Sequence, residues 1–251
     1  MIILLFGSVA YSGTIDPENK DEKYVKYAED FHYVLKISGK YKDNSSFYAS
    51  VVAIRPRWVL TAAHVIQDVE QASVSDNSVN IEVNSFIGHK DFIKNNLGYN
   101  DIALCYLKND LSLSFYPELY DKSEELGKVC SIAGYGNTGT FITGAKIFDH
   151  KRRAGANIID RIEKHIMICS PEKIRKTNLE FLIANGDSGG GLFIENKLAG
   201  INSCVFAVDK KLDSSYGDEA GHTRISVFKD WINETIKIHE DKEREQCLEK
   251  K

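Results

Sequence analysis

Ser188 stands in the run Asn185-Gly186-Asp187-Ser188-Gly189-Gly190-Gly191. Glycines on both sides of a serine let the backbone take a tight turn. The turn exposes Oγ and can aim the Gly186 and Ser188 N–H groups at one point. That is half of what acyl transfer requires; the rest is a base and a group that fixes the base's tautomer. His64 ends Trp58-Val59-Leu60-Thr61-Ala62-Ala63-His64, an apolar strand followed by small residues, which sets an imidazole at a rim beside a substrate-sized space. Asp101 directly precedes apolar Ile102-Ala103-Leu104, so its carboxylate needs a buried donor, and the Nδ1–H of His64 can serve. Each segment also has a plainer reading: a Gly-rich turn with an Asp cap, a core or surface histidine, a strand-initiating aspartate. The other histidines (His32, His89, His150, His165, His222 and His239) have no such context and read as structural.

The elements that must position these groups are mostly strands. Short apolar runs separated by turn residues predict strands over His32–Ile37, Phe47–Ile54, Trp58–Ala62, Val79–Val83, Asp101–Leu107 and Lys128–Ala133. The same pattern recurs over His165–Cys169, Gly190–Ile194, Lys197–Ser203 and His222–Ile225. Arg55-Pro56-Arg57 and Glu195-Asn196 read as turns. Asp16–Asp30, rich in Lys, Glu and Asp, reads as a solvated loop or short surface helix, and Ser112–Leu126 as a crossover. Val227, Trp231, Ile232, Thr235, Ile236 and Ile238 recur at helical spacing after Ser226, a candidate N-cap, and a charged tail follows from Glu240. The class is all-β with a C-terminal helix.

The order His64, Asp101, Ser188, with the spacing between them, resembles the trypsin/chymotrypsin family from about Phe47 to Ile236. Ser50–Trp58, Cys130-Ser131-Ile132-Ala133-Gly134-Tyr135-Gly136, Leu198–Ser203, Thr223-Arg224-Ile225 and Trp231-Ile232 resemble further family stretches. The resemblance implies two packed antiparallel six-stranded β-barrels, over residues 11–118 and 119–225, with a C-terminal helix and tail over 226–251. It implies a serine endopeptidase with Ser188 as nucleophile, His64 as base, Asp101 as orienting carboxylate, and Gly186 and Ser188 N–H groups as the oxyanion hole. It also implies that Asp187 pairs with a freed N-terminal amine. The substrate pocket would be formed by Leu182 at its floor with Ser203, Val205 and Ala220, an apolar site suited to small aliphatic side chains. Two other readings stand beside this one: a protease homologue that binds partners without cutting them, and an esterase-like acyl hydrolase.

The resemblance has gaps. Val65 and Ala49 replace one family cysteine pair, Ile194 replaces the usual partner of Cys130, Ala184 replaces another cysteine, and Cys169 has no obvious mate. The chain resembles a disulfide-poor, bacterial-like member whose stability rests on barrel packing.

At 251 residues, 43 % apolar and 27 % charged, the chain is long enough for a well-buried core. A net charge of −4 gives no basic field for nucleic acid or an anionic membrane. The expected partner is a polypeptide substrate met by a monomer, with no metal or organic cofactor implied. Five cysteines without a CxxC pair indicate neither a zinc site nor a disulfide framework. The apolar run Met1–Ala10 is too short to span a bilayer and ends in small residues. It reads as a secretion signal cleaved before Tyr11, giving a secreted or periplasmic protein, with a first β-strand as the alternative.

Overall fold

The computed structural model describes residues 13–75, 80–94, 98–207 and 210–249. The expected signal segment 1–10 and the start at Tyr11 lie outside these, as does Val79. The chain begins with β1 (Thr14–Ile15) and helix α1 (Asp21–Tyr27). Strands β2 (Val34–Tyr41), β3 (Ser46–Arg55) and β4 (Trp58–Thr61) follow, then the one-turn helix α2 (Ala63–Ile66). Next come β5 (Val69–Ser75), β6 (Asn80–Gly88) and β7 (Ala103–Leu107). These last six strands close into a barrel in the order β2-β3-β4-β7-β6-β5.

Closure leaves no free edge, and the barrel interior is filled by alternate side chains. Over Ala49–Ile54 in β3 and throughout β7 every residue is buried, inward- and outward-facing alike. The outer faces of these strands are therefore covered too, which explains a sequence that is apolar on both faces apart from Ser50.

The second unit contains β8 (Val129–Gly134), β9 (Thr138–Thr140), β10 (Gly144–Ile147), β11 (Arg153–Ile158) and β12 (Arg161–Glu163). It continues with β13 (Ile166–Cys169), β14 (Phe181–Leu182), β15 (Gly191–Ile194), β16 (Lys197–Ala207) and β17 (Asp218–Arg224). Seven of these form a curled half-barrel, β11-β8-β15-β16-β17-β13-β12, and a four-stranded sheet, β10-β9-β1-β14, completes the unit. The turn between β15 and β16 has Glu195 at φ 51° and Asn196 at φ 64°, the left-handed pair of a tight hairpin.

Two segments differ from the sequence expectation. Thr14–Ile15, expected at the head of the first unit, pairs with β9 and β14 of the second. Helix α1 follows it, because Arg153 of β11, only 3 % exposed, binds Asp21 through two hydrogen bonds of 2.6 and 2.8 Å and Asp149 through two more. Tyr24 of this charged segment is fully buried. The terminal helix α3 (Ile225–Glu249) begins before Ser226, whose hydroxyl binds Glu125 at 2.6 Å. Ile225, Phe228, Ile232 and Ile236 form its buried face. The helix also runs past Glu240, which accepts the Trp58 indole N–H at 3.2 Å, while Glu243 accepts the Tyr106 hydroxyl at 2.7 Å.

Cys105, Cys130, Cys169 and Cys204 are free thiols, all buried, with the Cys130 and Cys169 sulfurs 3.9 Å apart.

Candidate active site

His64 and Asp101 come from the first barrel, at the ends of paired strands. β4 pairs with β7 through Thr61 and Ala103, so His64 just after one and Asp101 just before the other meet at the same rim. Asp101 is 0 % exposed. Its Oδ2 accepts the His64 ring at Nδ1, 2.8 Å away, and also the Ser203 hydroxyl, while Oδ1 accepts the His64 backbone N–H at 2.9 Å. Those bonds replace the water that burial removes. The His64 ring keeps 26 % of its surface exposed, and its Nε2 lies 3.0 Å from the Ser188 hydroxyl of the second unit.

The charges are coupled. Burial pushes His64 down, but the Asp101 charge and hydrogen bond outweigh it and hold the imidazole above its usual 6.5. Burial pushes Asp101 up, yet the His64 charge and the His64 and Ser203 hydrogen bonds leave it below the usual carboxylate range. The carboxylate therefore stays ionised and keeps the Nδ1–H toward itself, which leaves the Nε2 lone pair for the hydroxyl.

The turn that carries Ser188 needs its glycines. Gly186 has φ +89° and a Cβ there would meet the Tyr48 ring at 2.6 Å; Gly189 has φ +83° and a Cβ would meet the Thr61 hydroxyl at 2.0 Å. The Asp187 side chain points away from Ser188, into the second unit. It accepts backbone N–H groups from Gly136 (2.9 Å), Ala184 (3.1 Å) and Gly13. Burial still pushes its carboxyl up to about 6. A Cβ at Gly13 would lie 2.3 Å from Phe181 and 2.8 Å from the Asp187 carboxylate, so only glycine fits that approach.

Of the expected pocket residues, Leu182 in β14 and Ala220 in β17 are fully buried, within the hydrophobic core of the second unit. Val205 pairs with Ala220 across β16 and β17 and is half-buried. Ser203 faces Asp101, as its hydrogen bond shows.

Two groups beside the Ser188 turn escape sequence reasoning. Ser50, fully buried in apolar β3, donates its hydroxyl to the Gly186 carbonyl at 2.8 Å. Asn202 gives its amide to the Ala133 carbonyl (3.1 Å) and pairs through Oδ1 with His222 Nδ1 (2.9 Å). His222 is buried and pushed down to about 3, hence neutral at ordinary pH. The only signal for either was a polar residue inside an apolar strand.

Comparison with known proteins agrees with this architecture. Residues 22–232 match the trypsin family model. The serine protease SSP1 of Scolopendra subspinipes is 29 % identical over 73 % of this chain and 71 % of its own. Chymotrypsin-like elastase family member 3B of Macaca mulatta is 26 % identical over 91 % of this chain and 99 % of its own. Among solved structures, mouse neuropsin superposes with a TM-score of 0.65 at 21 % identity, covering 82 % of this chain and 95 % of that one. The HL collagenase superposes at 0.66 and 18 %, covering 82 % and 94 %. At those identities the likeness shows the shared fold. The family match over most of the chain goes further: this protein belongs to the trypsin family and is a serine endopeptidase.

Proposed function

We propose that Ser188 is the nucleophile, His64 its base and Asp101 the carboxylate that orients the base. One observation carries the reading: Asp101, His64 and Ser188 form an unbroken hydrogen-bonded chain of 2.8 and 3.0 Å across two units of the fold. In this mechanism His64 Nε2 takes the hydroxyl proton as Oγ attacks the peptide carbonyl. Gly186 and Ser188 N–H groups hold the oxyanion, His64 protonates the leaving amine, and water repeats the sequence on the acyl-enzyme. The barrel that carries His64 and Asp101 and the unit that carries Ser188 act as the two walls of the cleft. The enzyme works as a secreted or periplasmic monomer on polypeptide substrates.

For the substrate side chain, none of the residues assigned to the pocket, Leu182, Ser203, Val205 and Ala220, carries a charge. A cationic side chain there would lose its hydration without a partner, so small aliphatic side chains are preferred over Lys and Arg. The full burial of Leu182 and Ala220 equally suits a closed pocket, and hence a homologue that binds without cutting. A fluorophosphonate probe, followed by peptide mapping, separates the two. The expected result is a label on Ser188, with library peptides cleaved after Ala or Val; an unlabelled, folded protein overturns the reading.

The amine that pairs with Asp187 belongs, on this reading, to a chain beginning at Gly13, since the Gly13 N–H already bonds that carboxylate. A free ammonium there would draw Asp187 down from its value near 6 and stabilise the turn. This moves the expected start two residues past Tyr11. N-terminal sequencing of active secreted enzyme should read Gly-Thr-Ile-Asp; full activity with Tyr11 first would discard the pairing.

A further inference from the structure

A hydroxyl buried in an apolar strand destabilises the fold unless its hydrogen-bonding capacity is used. Ser50, 0 % exposed between Ala49 and Val51 in β3, uses its capacity on the second unit. Its Oγ donates to the Gly186 carbonyl at 2.8 Å and accepts the Tyr135 N–H at 2.9 Å. Its backbone N–H donates to the Ser188 carbonyl at 2.9 Å, and its own carbonyl accepts the Thr61 hydroxyl at 2.9 Å. One residue of the first barrel thus grips the carbonyls of both Gly186 and Ser188.

The grip matters most at Gly186. With φ +89° and no side chain, this residue has wide backbone freedom, limited before it by the Asn137 N–H on the Asn185 carbonyl at 3.3 Å. Rotation there would swing the N–H away from the point it shares with the Ser188 N–H. The Ser50 hydroxyl fixes the carbonyl side of Gly186, which restricts that rotation, and also joins the turn to Tyr135-Gly136, whose Gly136 N–H binds Asp187.

We propose that Ser50 is a positioning residue for the oxyanion hole, holding Gly186 through its side-chain hydroxyl so that the Gly186 N–H stays aimed at the developing charge. The proposal rests on the assignment of Gly186 and Ser188 above. It concerns the transition state, not substrate binding, so its effect falls on kcat.

The test is the second-order rate of fluorophosphonate labelling at Ser188, with kcat and KM on a cleaved library peptide, in wild type, Ser50→Ala, Ser50→Gly and Ser50→Thr. Loss of a whole oxyanion donor lowers kcat about 10²- to 10³-fold, so loosening one should lower it about 10- to 30-fold. Ser50→Ala should show that loss in labelling and kcat, with KM and the pH profile unchanged, because His64 and Asp101 are untouched. Ser50→Gly leaves room for a bridging water and should recover part of the rate. Ser50→Thr keeps the hydroxyl and should stay within about threefold of wild type. If Ser50→Ala does not fold, Ser50→Gly should still label at least about threefold more slowly than Ser50→Thr. Wild type that does not label removes the underlying assignment. Wild type that labels while Ser50→Ala, or Ser50→Gly in its place, keeps pace overturns the role of Ser50 alone. So does a loss shared equally by all three variants and following their melting temperatures.

Discussion

Ser188→Ala is expected to lower peptide hydrolysis by about 10⁴-fold or more and to abolish fluorophosphonate labelling, with the fold intact. The hydroxyl is the only group at the turn with an acidic proton within reach of His64, 3.0 Å away. In the proposed mechanism no acyl-enzyme forms without it, and the residual rate would be water attacking a carbonyl polarised by the backbone N–H groups of positions 186 and 188. Stability should barely move. Ser188 is half-buried, and loss of one hydrogen bond to a partly exposed ring costs about 1 kcal/mol or less, a shift of roughly 4 °C at most. Calorimetry beside the activity assay checks both halves. A variant that retains a tenth of the activity would mean that another nucleophile does the work.

Asp101→Asn is expected to be nearly as damaging, about 10⁴-fold in kcat, and to change the shape of the pH profile. In the proposed mechanism the working form of His64 is neutral, so the rate should fall as pH drops through the imidazole's value. Asp101 holds that value above 6.5. With asparagine only burial remains, so the acid limb moves to lower pH even as the plateau collapses. The amide can also present N–H to the ring and select the other tautomer, which explains the size of the loss.

The same pair sets a stability window. His64, raised in the fold, contributes stability that is full below its ordinary 6.5 and lost as pH rises through the raised value. Asp101, lowered in the fold, contributes above the ordinary carboxylate value of about 3.9 and loses it as pH falls through the depressed one. Wild type and Asp101→Asn should therefore differ most in melting temperature between these limits. An acid limb that does not move in the variant would separate Asp101 from the titration of His64.

The mainly apolar strands β3, β4, β7 and β15 were legible because they are buried on both faces, β3 over Ala49–Ile54. β11 (Arg-Ala-Gly-Ala-Asn-Ile) and β5 (Val-Glu-Gln-Ala-Ser-Val-Ser) were not. Their small and polar residues carry little intrinsic strand preference, and pairing with β8 and with β2 holds them extended instead. The charged segment before His32 read as a solvated loop or short surface helix. It became α1 docked on the second unit because Arg153, more than a hundred residues away, supplies the partner for Asp21.

The chemical groups of the site were written into local sequence. Glycines at positive φ around Ser188, small residues before His64 and an acid ahead of an apolar strand are requirements that neighbouring residues impose on one another. What local sequence could not contain is the meeting of these groups, or which buried polar residues serve them. Ser50 finds its Gly186 and Tyr135 partners only when the two units close on each other, and Gly13 and Asn202 find Asp187 and Ala133 only when the second unit folds; these bonds join residues 69 to 174 positions apart. Contacts of that range are set by packing, whose energy is spread over the whole core and leaves no mark on any single stretch of chain.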